Sequence, residues 1–216
     1  MEKQEVTTKY KLDFTKKSPI EYNKIKLLNF WRKILYLKNL VGQDPMRYNG
    51  DSFGNLSQRL SYNQPKNKRS FAITGTRTGG LDDLTEKDYT TVLEYYPEEN
   101  LVVAEGPIKP SREAMTHGTI YDCDDSIRFV FHAHSSRIWR NSKLLQIPTT
   151  NDSILYGTPE IAEEVKRLFK DTNVKDRRIL SMGGHEDGII TFGKTVDEAG
   201  SIMLHNLELS IQHSPH

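Results

Sequence analysis

The sequence contains very little cysteine and no long apolar run, and both absences restrict the class of protein. Cys123 is the only cysteine among 216 residues, which excludes the intramolecular disulfide framework that is common in secreted proteins. Eighteen consecutive apolar residues occur nowhere, and the N-terminal residues 1–5 have no apolar core of an export signal. We therefore expect a cytoplasmic protein that does not associate with a membrane.

An excess of charge of one sign is also missing. Thirty lysines and arginines stand against 29 aspartates and glutamates, which gives a formal net charge of +1. Such a balance provides no overall attraction to nucleic acid or to anionic lipid. The short basic segment of Lys66, Lys68 and Arg69 is more typical of a solvated turn. No nucleic-acid partner is expected, and any anion site must be local.

The composition that is present, 36% hydrophobic and 27% charged residues, is typical of one globular domain. Residues 1–20 are polar and lysine-rich and predict an extended or frayed N-terminal arm, which leaves 21–216 as the single domain. Apolar spacing and turn signals predict interspersed helices and strands, and hence a central sheet flanked by helices. The predicted helices are 21–38, 111–121 and those beginning at 159 and 195, with a short helical turn at 81–89; the predicted strands are 71–74, 92–96, 101–104, 128–134 and 189–192.

His132 and His134 form a His-x-His pair on a predicted strand. Side chains alternate faces along a strand, so both imidazoles point the same way, with Cβ atoms roughly 6.6 Å apart. Two nitrogens can then converge on one cation. Taken alone, such a pair can also be two unrelated polar residues near a strand end.

Further ligands or an acid/base group could come from Glu113 and from His185 in a glycine-rich loop. Three histidines with an open position are typical of a catalytic zinc site. The alternative for Glu113 is a structural carboxylate at the positive end of a helix. Glu186 and Asp187 have the same structural alternative.

Phosphate binding would use backbone amides and hydroxyls, and short segments of this kind occur at 54–55, 74–76 and Ser111. The loop 75–80 contains three glycines and is expected to leave backbone amides open. It lacks the lysine of a nucleotide P-loop, so it is not interpreted as one. Each segment can equally be a plain turn.

The order of these motifs resembles that of the class II aldolase/adducin family. The resemblance is carried by Gly-Asn-Leu-Ser-x-Arg at 54–59, Ile-Thr-Gly-Thr at 73–76, Lys-Pro-Ser-x-Glu-x-x-x-His at 109–117, the His-x-His pair, and Gly-Ile-Ile-Thr-Phe-Gly-Lys-Thr at 188–195. It extends from about Gly54 to Leu209, and the joint pattern is far more specific than any single motif.

The resemblance implies a three-layer α/β/α sandwich with a mostly antiparallel central sheet, assembled as a homotetramer. It also implies Zn²⁺ or another divalent cation on His132 and His134, with Glu113 as the acid/base residue. The implied surroundings of the substrate phosphate are Gly54, Asn55, Thr74, Gly75, Thr76, Ser111 and Arg112.

The activity implied is that of a metal-dependent lyase that cleaves or rearranges a phosphorylated ketose through a metal-stabilised enediolate. A sugar-phosphate epimerase or dehydratase of the same fold is one alternative. A non-catalytic adducin-like assembly module is another, because a shared fold does not select the reaction.

Three positions depart from the family pattern. The third histidine normally precedes the glycine directly, whereas His185 lies three residues ahead of Gly188; we favour His185 as the third ligand, with Asp187 or Glu186 as the alternatives. Arg112 stands where the aldolases often have a small residue, and it could bind phosphate or a carboxylate, or simply extend into solvent.

The third departure is the sequence after the closing helix, which offers no tyrosine that matches the one the aldolases often supply from a longer tail. Tyr121 and Tyr156 remain possible proton donors by residue type only.

Overall fold

The structure, a computed structural model, describes residues 10–212. Ten strands are found in this part of the chain: β1 (Lys11–Lys16), β2 (Gly42–Gln43), β3 (Ser52–Phe53), β4 (Asn55–Arg59), β5 (Phe71–Thr74), β6 (Tyr89–Tyr96), β7 (Leu101–Gly106), β8 (Phe129–His134), β9 (Ile179–Ser181) and β10 (Gly188–Gly193). The α-helices are α1 (Tyr22–Leu37), α2 (Ala114–Cys123), α3 (Ser136–Arg140), α4 (Pro159–Asp171), α5 (Val174–Arg177) and α6 (Val196–Gln212).

Eight of the strands form one mixed sheet in the order β1-β7-β6-β5-β4-β8-β10-β9, while β2 and β3 pair separately. Only the β1–β7 pair is parallel; the six other pairs of this sheet are antiparallel. The sheet is therefore mostly antiparallel. Part of the segment 1–20 forms β1 at its edge, and residues 1–9 lie outside the described residues.

Two apolar clusters form the core, because consecutive residues of the central strands alternate between them. On β8, Val130 belongs to the cluster that contains α2 and α4, whereas Phe131 belongs to the cluster that contains α1 and α6. The apolar positions that predicted the helix 21–38 and the helix beginning at 159 are buried, apart from the partly buried Ile34; Ile25 and Val165 are fully buried. Helices α2 and α4 thus contribute to one cluster, and α1 and α6 contribute to the other.

The segment 81–89, predicted as a short helical turn, contains a 3-10 helix over Glu86–Asp88, which Thr85 and Asp88 close with a reciprocal capping box. The helix expected from Ser111 begins at Ala114 instead, with Glu113 as its N-cap residue and no capping bond from that side chain. The carboxylate of Glu113 is therefore not consumed by its own helix. In the described part of the chain, no helix has the length and apolar character needed to cross a membrane.

Candidate functional site

The predicted site residues lie together at one end of four adjacent strands, in the order β5-β4-β8-β10. Because these strands are antiparallel, one end of the sheet contains the end of β5, the start of β4, the end of β8 and the start of β10. The register places Asn55 opposite His132, and Gly188 opposite His134. The isolated bridge between Gly75 and Pro110 brings the segment before α2 to this edge as well.

Three histidines converge there. His132 and His134 project from β8 on one side, with ring centroids 4.9 Å apart. The glycine-rich loop before β10 brings His185 to them, and its Nε2 lies 3.1 Å from the Nε2 of His134. One ligand nitrogen from each ring lies within 4.8 Å of the others. The loop thus brings His185 to the pair even though it stands three residues before Gly188.

Glu113 lies between two of these rings. Its Oε2 is 2.7 Å from Nδ1 of His132, and its Oε1 is 3.2 Å from Nε2 of His185. Burial alone would raise the pKa of Glu113, but the neighbouring imidazoles of His132 and His185 outweigh burial and hold that pKa well below its ordinary value. The carboxylate is therefore ionised and able to accept a proton.

The donor set suits a divalent metal such as zinc. Two nitrogens about 2.0–2.1 Å from one tetrahedral ion would be separated by about 3.3 Å, and the two Nε2 atoms of His134 and His185 are 3.1 Å apart. Nε2 of His132 is buried without a hydrogen-bond partner among residues 10–212. Burial, with the nearby His132 and His185, lowers the pKa of His134 well below its ordinary value. A neutral imidazole is the form that binds a metal.

A cavity of about 300 Å³ opens over this cluster. Most of the residues expected around a phosphate are on its wall: Gly54, Asn55, Gly75, Thr76, Ser111 and Arg112. Thr74 lies behind the wall, since its side chain is buried and its hydroxyl accepts a hydrogen bond from the Leu56 amide. The guanidinium of Arg112 pairs with the carboxylate of Asp51 at 3.2 Å.

The backbone amides expected to be open in this loop are partly used. The Gly75 amide donates to the Asp88 carbonyl at 2.7 Å, and the Thr76 amide donates to the Lys109 carbonyl at 2.9 Å. These bonds hold the residues after β5 against the start of β6 and against the segment before α2. The expectation of open amides at Gly75 and Thr76 is therefore wrong, because the sheet continues into the loop.

A tyrosine that the sequence did not single out, Tyr48, forms another part of the cavity wall. Its ring packs edge-on against His134 at 4.6 Å between centroids. Its hydroxyl donates to Asp187 Oδ2 at 2.6 Å and accepts from Arg47 Nη2 at 2.6 Å. The carboxylate of Asp187 is thus engaged outside the histidine cluster. Its contact with Tyr48 joins residues 139 apart in sequence, so no local sequence signal predicts it.

The two tyrosines considered as proton donors occupy different places. Tyr156 lines the cavity, and its ring lies against His185 with centroids 3.9 Å apart. Tyr121 is fully buried on α2, with its hydroxyl 2.7 Å from Ser57 Oγ. Only Tyr156 is therefore in a position to contact a molecule in the cavity.

Comparison with known proteins identifies relatives of this arrangement. A family model described as "Class II Aldolase and Adducin N-terminal domain" matches residues 45–209. No curated protein sequence matches this chain.

Solved structures show the same fold at low sequence identity. They include YgbL, a putative aldolase/epimerase/decarboxylase from Escherichia coli (TM-score 0.64, 16% identity, 88% of each chain covered). An L-fuculose 1-phosphate aldolase gives a TM-score of 0.61 at 20% identity, covering 90% of this chain and 85% of that one. The L-fuculose-1-phosphate aldolase from Thermus thermophilus gives 0.57 at 19% identity, covering 91% of this chain and 100% of that one.

Proposed function

Because this chain belongs to the class II aldolase and adducin family, we propose that it is a metal-dependent lyase that cleaves a phosphorylated ketose. The observation that carries the proposal is the cluster of His132, His134 and His185 with an ionised Glu113 between two of the rings. An assembly module has no physical need for such a buried group of ionisable side chains at the base of a cavity.

In this proposal the three imidazoles hold Zn²⁺ or another divalent cation. Such a cation, when bound, supplies positive charge that stabilises an enediolate. His132 would bind through Nε2, while its Nδ1, 2.7 Å from Oε2 of Glu113, would donate to that carboxylate. This second contact fixes the tautomer and the orientation of the ring.

Glu113 is the proposed acid/base residue. Its carboxylate faces both the histidine cluster and the cavity, so it can take the proton of a substrate hydroxyl and return it to the product carbon.

The phosphate end of the cavity is proposed to be formed by Gly54, Asn55, Gly75, Thr76, Ser111 and Arg112. Thr74 would support this wall through its bond to the Leu56 amide. L-fuculose 1-phosphate, the substrate in the names of two structural neighbours, is the first compound to test. We also propose a homotetramer with the family's three-layer α/β/α arrangement, acting in cytoplasmic carbohydrate metabolism.

Turnover of ketose 1-phosphates by zinc-loaded protein tests this function. We expect an aldehyde and a hydroxyketone phosphate as products. Glu113→Gln should lower kcat by about 10²–10⁴-fold, the usual contribution of a general acid/base residue, and should retain the metal. The control Glu186→Gln changes an exposed carboxylate on the same cavity and should remain active.

Other products would redirect the proposal. An epimerised ketose phosphate or the loss of water would identify the epimerase or dehydratase alternative. An unreactive wild-type protein, tested over a broad panel of sugar phosphates, would favour the adducin-like role. Full activity in Glu113→Gln would remove this carboxylate from the chemistry.

A further inference from the structure

Two backbone amides of the glycine-rich loop at the phosphate end of the cavity are already engaged and cannot bind a phosphate. The amides of Gly75 and Thr76 donate to backbone carbonyls, and the Thr78 hydroxyl donates to the Gly75 carbonyl at 2.8 Å, which closes the turn on itself. A phosphate dianion that enters this end therefore finds two amides fewer, and side-chain donors gain weight in its stabilisation.

Arg77 is placed at the tip of this turn and lines the cavity. Its backbone is left-handed, with φ 60°, a conformation that is uncommon for a residue with a side chain. The following residues are held from behind by the buried Arg32, whose Nη2 donates to the carbonyls of Thr78 at 3.0 Å and Gly79 at 2.7 Å. The base of the Arg77 side chain is therefore fixed at the cavity edge.

Among the described residues, no ion pair compensates the positive charge of Arg77 at the cavity. Arg112, the other arginine on the wall, is already paired with Asp51. Among the carboxylates of residues 10–212, none forms an ion pair with Arg77, and its side chain is exposed. A guanidinium presents a planar fork of donors that matches two phosphate oxygens.

We propose that Arg77 is the principal phosphate ligand of this cavity, so that charge rather than backbone amides selects a phosphorylated substrate. The hydroxyls of Thr76 and Ser111 complete the set of donors around the third oxygen. This inference rests on the proposed function for the identity of the substrate. The phosphate site itself can be measured without turnover.

Calorimetric titration of inorganic phosphate into the metal-free full-length protein tests the inference. Arg77→Gln keeps a long polar side chain on the same backbone. It should raise the phosphate Kd by about ten- to a hundredfold, the effect expected when charge-assisted hydrogen bonds are lost. The matched control Arg140→Gln removes an exposed arginine on α3, outside this cavity, and should leave the Kd unchanged.

Four outcomes would overturn the inference: no phosphate binding to wild type, an unchanged Kd in Arg77→Gln, an equal loss in Arg140→Gln, or malonate binding as tightly as phosphate. The last would assign the arginine to a carboxylate. A weakened phosphate Kd in Arg77→Gln without turnover in wild type would refute only the lyase proposal. Turnover with an unchanged phosphate Kd would refute only the role of Arg77.

Discussion

Two glycines beside His185 determine how this histidine reaches the cluster. A side chain on Gly184 would overlap the carbonyl of Ile154, and one on Gly183 would overlap Asp152 and the carbonyl of Thr150. The loop that carries Tyr156 therefore lies directly on the backbone that precedes His185.

Gly184→Ala should consequently lower stability and weaken metal binding together. A methyl group forced into this packed contact costs about 1–3 kcal/mol, and the required backbone shift moves His185 away from the other two rings. Denaturant unfolding and zinc titration would measure both effects. Glu186→Ala, an exposed neighbour, is the control and should change neither; a Gly184→Ala protein with unaltered zinc affinity would contradict this explanation.

Strand alternation was sufficient to predict that His132 and His134 share a face, and they do. His185 could be predicted only as a candidate ligand, with Asp187 or Glu186 as alternatives, because its position depends on the path of a loop. The contact between Tyr48 and Asp187 could not be predicted: both residues have positive φ values, and the contact is formed by two loops far apart in sequence.

Helix α2 presents one face to the site and to the interior, as its spacing of four residues requires. Glu113, His117 and Tyr121 follow one another along this face, and Ser57 Oγ lies 2.6 Å from His117 Nδ1 and 2.7 Å from the Tyr121 hydroxyl. Ser57 is two residues after Asn55 on β4, so it projects from the same face of the strand. The two contacts tie α2 to the strand that lies beside His132.

His117 makes this tie sensitive to pH. Burial lowers the pKa of His117 from 6.5 to about 3. Between pH 6.5 and pH 3 the imidazole of His117 is therefore neutral in the folded protein but protonated in the unfolded chain. Protonation stabilises the unfolded chain, so the free energy of unfolding is unaffected by His117 titration above pH 6.5 and falls as the pH falls from 6.5 towards 3. The decline is about 1.4 kcal/mol per pH unit.

We expect His117→Gln to remove this part of the pH dependence. Urea unfolding between pH 8 and pH 5 should show that the stability advantage of wild type over the variant shrinks below pH 6.5 at about that rate. His205→Gln changes an exposed histidine of α6 and should follow the wild-type curve. Parallel curves for wild type and His117→Gln would contradict the assignment.

At the level of elements, apolar spacing predicted α1 and α4 because one face of each helix packs on the sheet. Helix α2 begins three residues later than predicted, because the segment before it is held by the bridge between Gly75 and Pro110. The parallel pairing of β1 with β7 joins segments about 90 residues apart and has no local sequence signal. Residues such as Tyr10, whose hydroxyl donates to the Ser111 carbonyl at 2.7 Å, nevertheless connect this strand to the cavity.

The candidate site residues lie together at one end of the sheet. The family could be predicted because the motifs occur in a fixed order, and the family match at residues 45–209 confirms it. Composition predicted a single domain but carried no information about the cavity. The shape of the cavity depends on segments that only the folded chain brings together.

The central claim is that three histidines hold one metal ion, and metal content measured by mass spectrometry on tag-free protein tests it most directly. After zinc reconstitution and desalting, wild type should contain near-stoichiometric zinc, and His132→Ala and His185→Ala should lose it. The control His205→Ala should retain it. Absence of zinc from reconstituted wild type, or its retention in both site variants, would contradict the account.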